Sequence, residues 1–365
     1  MAANLLFASC APRTLEPKNS IGAKWPRLLD QLNLASVVSG KRVAVKLHLG
    51  GGWGFTTIHP FFIRKLVAKV KEAGAKDVFV TDNPDAVRSA VERGYTAEVL
   101  GCQLIPTTGT DDKYFHRRKI EPAFRHLEEV ELAGEIVGAG ALINFSHVKG
   151  HGSCGFGGAS KNLSMGCVTG KTRGKLHALE GGIEWDGGKC KHCRTCIENC
   201  PNGAIRFSEQ GEMSVFYHSC KFCQHCVLIC PEKAITMIGG KYKDFQRGMA
   251  LATSKVLQCF APENTLFVNM LMNITLFCDC WGMTTPTLVP DIGILAGREI
   301  VAIEQASLDL IKTENLIPGV LPPGYKLGKT GQLFERIHGK DPFAVVEYLA
   351  EFGNGTREYK IVEVE

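Results

Sequence analysis

The chain has 365 residues, 45% of them hydrophobic, a formal charge of +5 and 15 cysteines. This is enough length for two or three domains around a sizeable core. So mild a charge argues against a dedicated nucleic-acid binder, which would carry a strong basic stripe, and no apolar run reaches the eighteen or so residues that a membrane span requires. In chain order, residues 5–10 read as a first strand and not as a lipoprotein leader, because the apolar stretch is short and no charged segment precedes it. Residues 42–49 read as a buried strand, and 60–73 as a helix with Phe61, Ile63, Leu66, Val67 and Val70 on its apolar side. A strand at 77–81, a helix at 85–93 opened by a capping Asp85, and a strand at 141–148 follow. Beyond the middle of the chain the same grammar resumes. It gives a helix at 249–260, strand-like text at 264–276, a strand at 292–296, helices at 302–312, 332–338 and 343–352, and a terminal strand at 359–364. Such alternation predicts an α/β fold, a mainly parallel sheet flanked by helices.

Between these flanks the pattern Cys-x-x-Cys-x-x-Cys-x-x-x-Cys-Pro occurs twice. The first copy is Cys190, Cys193, Cys196, Cys200 and Pro201, and the second is Cys220, Cys223, Cys226, Cys230 and Pro231. Three thiolates on one tight loop grip three irons of a cubane, and the fourth cysteine of such a run ligates the other cluster. The pattern predicts two [4Fe–4S] clusters, one on Cys190, Cys193, Cys196 and Cys230, the other on Cys220, Cys223, Cys226 and Cys200. Zinc is the competing occupant, but it has no use for a third cysteine three residues on or for the closing Cys-Pro. A disulfide framework needs an oxidising compartment and a short secreted domain. With labile clusters and many thiols the protein is expected in a reducing cytoplasm.

The repeat extends beyond the cysteines: Cys200-Pro201-Asn202-Gly203-Ala204-Ile205 matches Cys230-Pro231-Glu232-Lys233-Ala234-Ile235. Residues 183–241 resemble a bacterial-type two-cluster ferredoxin, with small α+β strands expected at 204–207, 215–217 and 234–238. Neither flank is self-sufficient, so one α/β host domain is expected from residues 1–182 and 242–365, with the ferredoxin-like module inserted. Glycine pairs at 181–182, 187–188 and 239–240 suit the joints. The text Leu47-His48-Leu49-Gly50, His147-Val148-Lys149-Gly150-His151, residues 155–162, Cys278-Asp279-Cys280 and Asp291-Ile292-Gly293 resembles the uncharacterised iron–sulfur centre proteins of the "domain of unknown function 362" family. That resemblance implies an α/β domain with a ferredoxin insert. Where the family often reads Asp-Pro-Val-Ala-Ile-Asp, this chain has Glu299-Ile300-Val301-Ala302-Ile303-Glu304, which lengthens one carboxylate arm.

Outside the repeat, residues 147–167 are the densest candidate site, combining His147, Lys149, His151, Cys154, Lys161 and Asn162 with repeated glycine. Glycine lets the backbone approach an anion, which Lys161 would neutralise; the alternative is that glycines 155–158 simply pack a helix against the sheet. A catalytic version of the site takes His147, His151, Lys161, Asn162 and Asp291, with His or Lys donating protons. Two nucleotide-like stretches fail the dinucleotide and P-loop spacings. Cys278 and Cys280 can share a soft metal that His147, His151, Cys154 or Asp291 would complete, or can be buried small hydrophobes. Basic residues near the repeat (Lys171, Arg173, Lys175, Lys189, Lys191, Arg194, Lys221) steer an acidic redox partner such as a small ferredoxin, or are ordinary solvated side chains. The expected function is an iron–sulfur electron-transfer protein or oxidoreductase component. The alternative is a non-enzymatic cofactor-handling or assembly protein.

Overall fold

The computed structural model describes residues 2–200, 203–216, 220, 225–238, 242–321, 325 and 327–365. The strands in chain order are β1 (Ala3–Ser9), β2 (Arg42–Lys46), β3 (Asp77–Asp82), β4 (Gln103–Pro106), β5 (Phe115–Phe124), β6 (Leu127–Ala133), β7 (Ala141–His147), β8 (Lys149–His151), β9 (Gly155–Gly157), β10 (Gly182–Trp185), β11 (Ile205–Phe207), β12 (Met213–Val215), β13 (Ile235–Ile238), β14 (Thr265–Leu271), β15 (Gly293–Gly297) and β16 (Tyr359–Glu363). Eight of them form one sheet in the order β16-β1-β15-β14-β7-β2-β3-β4. Five of its seven pairings are parallel, and only β15 runs against its neighbours.

The central strands are continuous apolar text because helices cover both faces. Every residue of β7 and of β14 is buried. Their side chains alternate between two cores: Ala44, Leu142 and Phe267 join one, while Val43, Val45, Ile143, Phe145 and Val268 join the other. The first core packs under the helices Ala159–Gly166, Tyr242–Leu257 and Ile300–Leu310; the second lies beneath Ile21–Gln31 and Pro60–Glu72.

The α/β architecture is therefore as expected, with local differences. The helix expected at 85–93 is a short α-helix, Pro84–Arg88, followed by a 3-10 turn, Ala90–Arg93. Its cap is Asn83, whose side chain accepts from the Ala86 amide at 3.1 Å, not Asp85. Pro84 lacks an N–H and has a helical φ, so it starts the helix one residue before Asp85. Phe61, assigned to the apolar side of its helix, is exposed, and Phe62 is buried in its place. The helix expected from 249 already begins at Tyr242 and ends at Leu257.

Between the helix Gly170–Ala178 and the helix Tyr242–Leu257, β10 and β13 pair antiparallel, β11 pairs with β12, and the short helices Thr195–Glu198 and His225–Ile229 pack around Cys196, Ile205, Cys226 and Ile235. The repeat read from the sequence recurs in the backbone. The Ala204 amide donates to Cys200 Sγ at 3.2 Å and the Ala234 amide to Cys230 Sγ at 3.3 Å. The residue three past each fourth cysteine is left-handed, Gly203 (φ 57°) and Lys233 (φ 50°). Strands occur near 204–207 and 234–238. The strand expected at 215–217 is β12, which ends at Val215; residue 217, Cys223, Lys221 and the Gly239-Gly240 joint lie outside the described residues.

Candidate functional site

From β2 the chain crosses to β3 on one side of the sheet, whereas from β7 it continues to β14 on the other. Connections therefore diverge between β2 and β7, and a crevice opens at the carboxyl ends of these adjacent parallel strands, where open α/β sheets bind ligands. A cavity of about 300 Å³ lies there, lined by the ends of β2, β3 and β7, the helix Ala159–Gly166 and the turn carrying Cys278 and Cys280.

One wall is a buried ion pair. Lys46, at the end of β2, places Nζ 2.9 Å from Asp82 Oδ1 and 2.7 Å from Asn162 Oδ1. The other Asp82 oxygen accepts from the Leu49 amide at 2.9 Å and faces His48 Nδ1 at 3.2 Å. Against burial, which raises it, the Lys46 charge and the His48 bond hold Asp82 well below the usual carboxylate range. His48 moves the other way: against burial, the charge on Cys278 and the bond to Asp82 raise its pKa. With Nδ1 held by Asp82, its second hydrogen bond is to Cys278. None of Lys46, His48 or Asp82 was singled out as a site residue from the sequence. The available signal was a lysine inside the buried strand text Val43-Ala44-Val45-Lys46-Leu47, which requires an anionic partner.

Asn162 is the hub of the adjoining network. Its Nδ2 donates to Asn144 Oδ1 at 2.6 Å and to the Lys46 carbonyl at 3.1 Å while its oxygen receives Lys46. Gly166, on the same helix, faces the ion pair: a Cβ there would collide with Lys46 Cε and Nζ. Gly166→Ala is accordingly expected to cost about 1–3 kcal/mol, read as a lower urea midpoint.

The glycine-rich segment before this helix does admit an anion, and the anion is the chain's own. Glu304 accepts from the Ala159 amide at 2.7 Å, the Ser160 amide at 3.2 Å and the Ser160 hydroxyl at 2.7 Å, and a Cβ on Gly158 would strike its Oε1. Lys161 points elsewhere, with Nζ 3.5 Å from Cys278 Sγ and 3.7 Å from Cys280 Sγ.

The second wall is the turn Asp279–Trp281 with Cys278 before it. Asp279 anchors it: its carboxylate binds Lys149 Nζ, accepts from Thr56 Oγ1 at 2.8 Å and lies 3.3 Å from His147 Nδ1, while His147 Nε2 donates to the Met272 and Asn273 carbonyls at 2.8 and 3.0 Å. His147 is thus held at both nitrogens. Against burial, Lys149 and then His147 keep Asp279 well below the carboxylate range. Against burial again, the hydrogen bond from Cys280 and the charges of Lys161 and Lys149 pull Cys278 well below the usual thiol range, and the same bond, with burial, pushes Cys280 above it. His151 Nε2 lies 3.7 Å from Cys280 Sγ, and the ligand atoms of His151, Cys278 and Cys280 all fall within 4.8 Å of one another, a group able to hold a metal ion. Cys154 stands behind it, 3.4 Å from His151 Nδ1.

Of the residues expected from the sequence, the structure gathers His147, Lys161, Asn162, Cys278 and Cys280 on the cavity wall with His151 beside them. Asp291 is not in the lining; it is exposed and accepts from the Asn273 amide at 2.7 Å. Cys190, Cys193, Cys196 and Cys230 line a separate small cavity together. Of the basic residues near the repeat, Lys189 pairs with Asp186 at 2.9 Å and Lys191 with Glu232 at 2.6 Å.

The family model described as "Domain of unknown function (DUF362)" matches residues 43–309, which take in the cavity, its Glu304 support and both cysteine runs. The chain belongs to the DUF362 family. No curated protein matches this DUF362 chain in sequence. Among solved structures it is similar to the lactate racemase apoprotein from Thermoanaerobacterium thermosaccharolyticum, at 11% identity and a TM-score of 0.35, over 68% of this chain and 49% of that one. The DUF362 chain thus spans about half the length of that relative. No helix among the described residues is long and apolar enough to cross a membrane.

Proposed function

We propose that this DUF362 protein is an iron–sulfur electron-transfer protein, in which a ferredoxin-like insert at residues 183–241 serves a pocket in a host domain formed by residues 1–182 and 242–365. The observation that carries the reading is the lining of the small cavity: three cysteines of the first run meet Cys230, the fourth of the second. That is the crossed donor set of a two-cluster ferredoxin. Cys190, Cys193, Cys196 and Cys230 would hold one [4Fe–4S] cluster and Cys220, Cys223, Cys226 and Cys200 the other. When bound, such clusters supply single electrons at potentials set by hydrogen bonds to sulfur and by exposure. The chain provides such bonds. Besides the two alanine amides, the His192 amide donates to Cys190 Sγ and the Thr195 hydroxyl to Cys193 Sγ, both at 3.4 Å.

The route toward the host pocket is aromatic. The Cys220 amide donates to the Phe216 carbonyl, the Phe216 ring meets Trp281 edge-on at 5.3 Å, and Trp281 follows Cys280, a cavity-lining residue. Trp281 is itself stacked on Phe277 at 4.1 Å. An insert and a pocket in such contact fit an oxidoreductase component better than a free carrier.

Anaerobically purified protein should contain about eight irons with matching sulfide, and a redox titration followed by electron paramagnetic resonance should show two interacting centres. Zinc in those positions, or centres that do not reduce in the cellular range, would transfer the reading to a cofactor-handling or assembly protein. An acidic ferredoxin should reduce the centres at a rate that falls steeply with added salt; a salt-independent rate would remove the electrostatic partner. Lys189, Lys191 and Lys171 are paired with Asp186, Glu232 and Glu131, which leaves Arg194 as the better substitution for that test.

A further inference from the structure

We propose that His151, Cys278 and Cys280 form an open site for one thiophilic divalent cation of the zinc class, with its fourth position facing the cavity. This goes beyond the electron relay and does not depend on it. The three ligand atoms come from two distant segments, the end of β8 and the turn after β14, yet lie within 4.8 Å of one another. Two thiols and one imidazole match the preference of such cations for soft sulfur and nitrogen donors. Three protein ligands with a vacancy is the composition of a catalytic metal centre, whereas a structural site closes all four positions.

The surroundings are built for it. Asp279, between the two cysteines, is occupied by Lys149, Thr56 and His147, and so fixes the turn from which both thiols reach Lys161 Nζ. Two thiolates balance a dication, and the Lys161 ammonium remains as an N–H donor to both sulfurs, the outer-shell contact that orients metal thiolates. With a cation on His151 Nε2 the ring proton sits on Nδ1, where Cys154 Sγ, 3.4 Å away, can accept it in place of the present contact from the Ser153 amide. His48 completes the arrangement. Asp82 holds its Nδ1, and its other hydrogen bond is to Cys278, on the wall that also contains Cys280. A carboxylate-oriented histidine bonded to a ligand sulfur is an outer-shell support of the kind that orients metal ligands.

The test is zinc uptake by the full-length, cluster-loaded protein under anaerobic conditions, with iron and sulfide measured in the same samples. One zinc per chain should survive dialysis, and X-ray absorption at the zinc edge should show two sulfur scatterers at about 2.3 Å with lighter atoms completing the shell. Cys278→Ser and His151→Ala should each weaken zinc binding at least tenfold with iron unchanged. Absence of retained zinc, unchanged affinity in the Cys278→Ser/Cys280→Ser double variant, or four sulfur scatterers, which would put the zinc on the cysteine runs, would each overturn the proposal. Loss of iron with the two-sulfur zinc site intact would instead overturn the electron-relay reading alone.

Discussion

Asp82→Ala should destabilise the protein by roughly 3–5 kcal/mol, the usual cost of leaving one member of a buried pair without the other. Both side chains are about 1% exposed, so water cannot replace the lost carboxylate. Lys46 would keep only the Asn162 oxygen and the Leu47 carbonyl, and His48 and the Leu49 amide would lose their acceptor. Lys46→Met alone should cost less, because Asp82 retains amide donors from Leu49 and Asn83. The double variant should recover part of the loss, and a double-mutant cycle in urea measures the coupling. A cost below 1 kcal/mol for Asp82→Ala would mean that the pair is not closed in solution.

The same carboxylates set the acid limit. Asp82 and Asp279 both have folded pKa values depressed below the unfolded value of about 3.9. Their stabilisation is complete above that value and is lost as the pH falls below it toward the folded pKa. Urea midpoints should therefore fall on the acid side of about pH 4. Asp82→Asn, already weakened at neutral pH, should show a shallower acid slope; an unchanged slope would remove Asp82 from the account.

Glu304→Ala is expected to cost about 3 kcal/mol, the range for several charge-assisted hydrogen bonds lost at once less the relief of desolvation. Glu304 is fully buried; burial raises its pKa against the pull of Ser160, the Ala159 amide and Asn269. Its carboxylate satisfies the first amides of the helix Ala159–Gly166, which otherwise have no intrahelical partner. Glu304→Asp tests the arm length that distinguishes this chain from the motif it resembles: one methylene shorter, it cannot hold both amides without backbone movement. Hydrogen exchange at Ala159 and Ser160 should accelerate in both variants. Because this helix carries Lys161 and Asn162 to the cavity, the effect reaches the site without any contact to it.

Much of the sheet was legible because its central strands are short apolar runs bounded by turns, as in 141–148 and 42–49. The hairpin β5–β6 was not, since β5 is almost wholly exposed and reads His116-Arg117-Arg118-Lys119, with no alternation to betray a strand. At the site, the histidine and cysteine text stood out as chemistry, but which groups meet is a tertiary property. His151 joins Cys280 and Asp291 does not join the cavity. The Lys46–Asp82 pair is hidden in the sequence because its members lie in separate strands 36 residues apart, although a lysine in apolar strand text implies an anionic partner. Glycines 155–158 drew attention as an anion cradle. Their constraints are separate packing contacts, Gly155 against the Lys340 carbonyl and Pro342, Gly157 against Lys161 and Gly158 against Glu304, which sequence spacing cannot reveal.

The antiparallel pairing of Gly182 with Ile238 has a polymer-physics consequence. To the eight-stranded sheet, everything between those two positions is a loop already tied at its neck, so the entropy of closing it is set by the ribbon and not by the length enclosed. Even an untied loop costs only about 0.6 kcal/mol more for each doubling of its length. A segment enclosed in this way can be lengthened, shortened or exchanged at little thermodynamic penalty to the eight-stranded sheet. Replacing residues 183–237 by a tight turn should therefore leave the eight-stranded sheet folded, with its melting transition close to that of the parent.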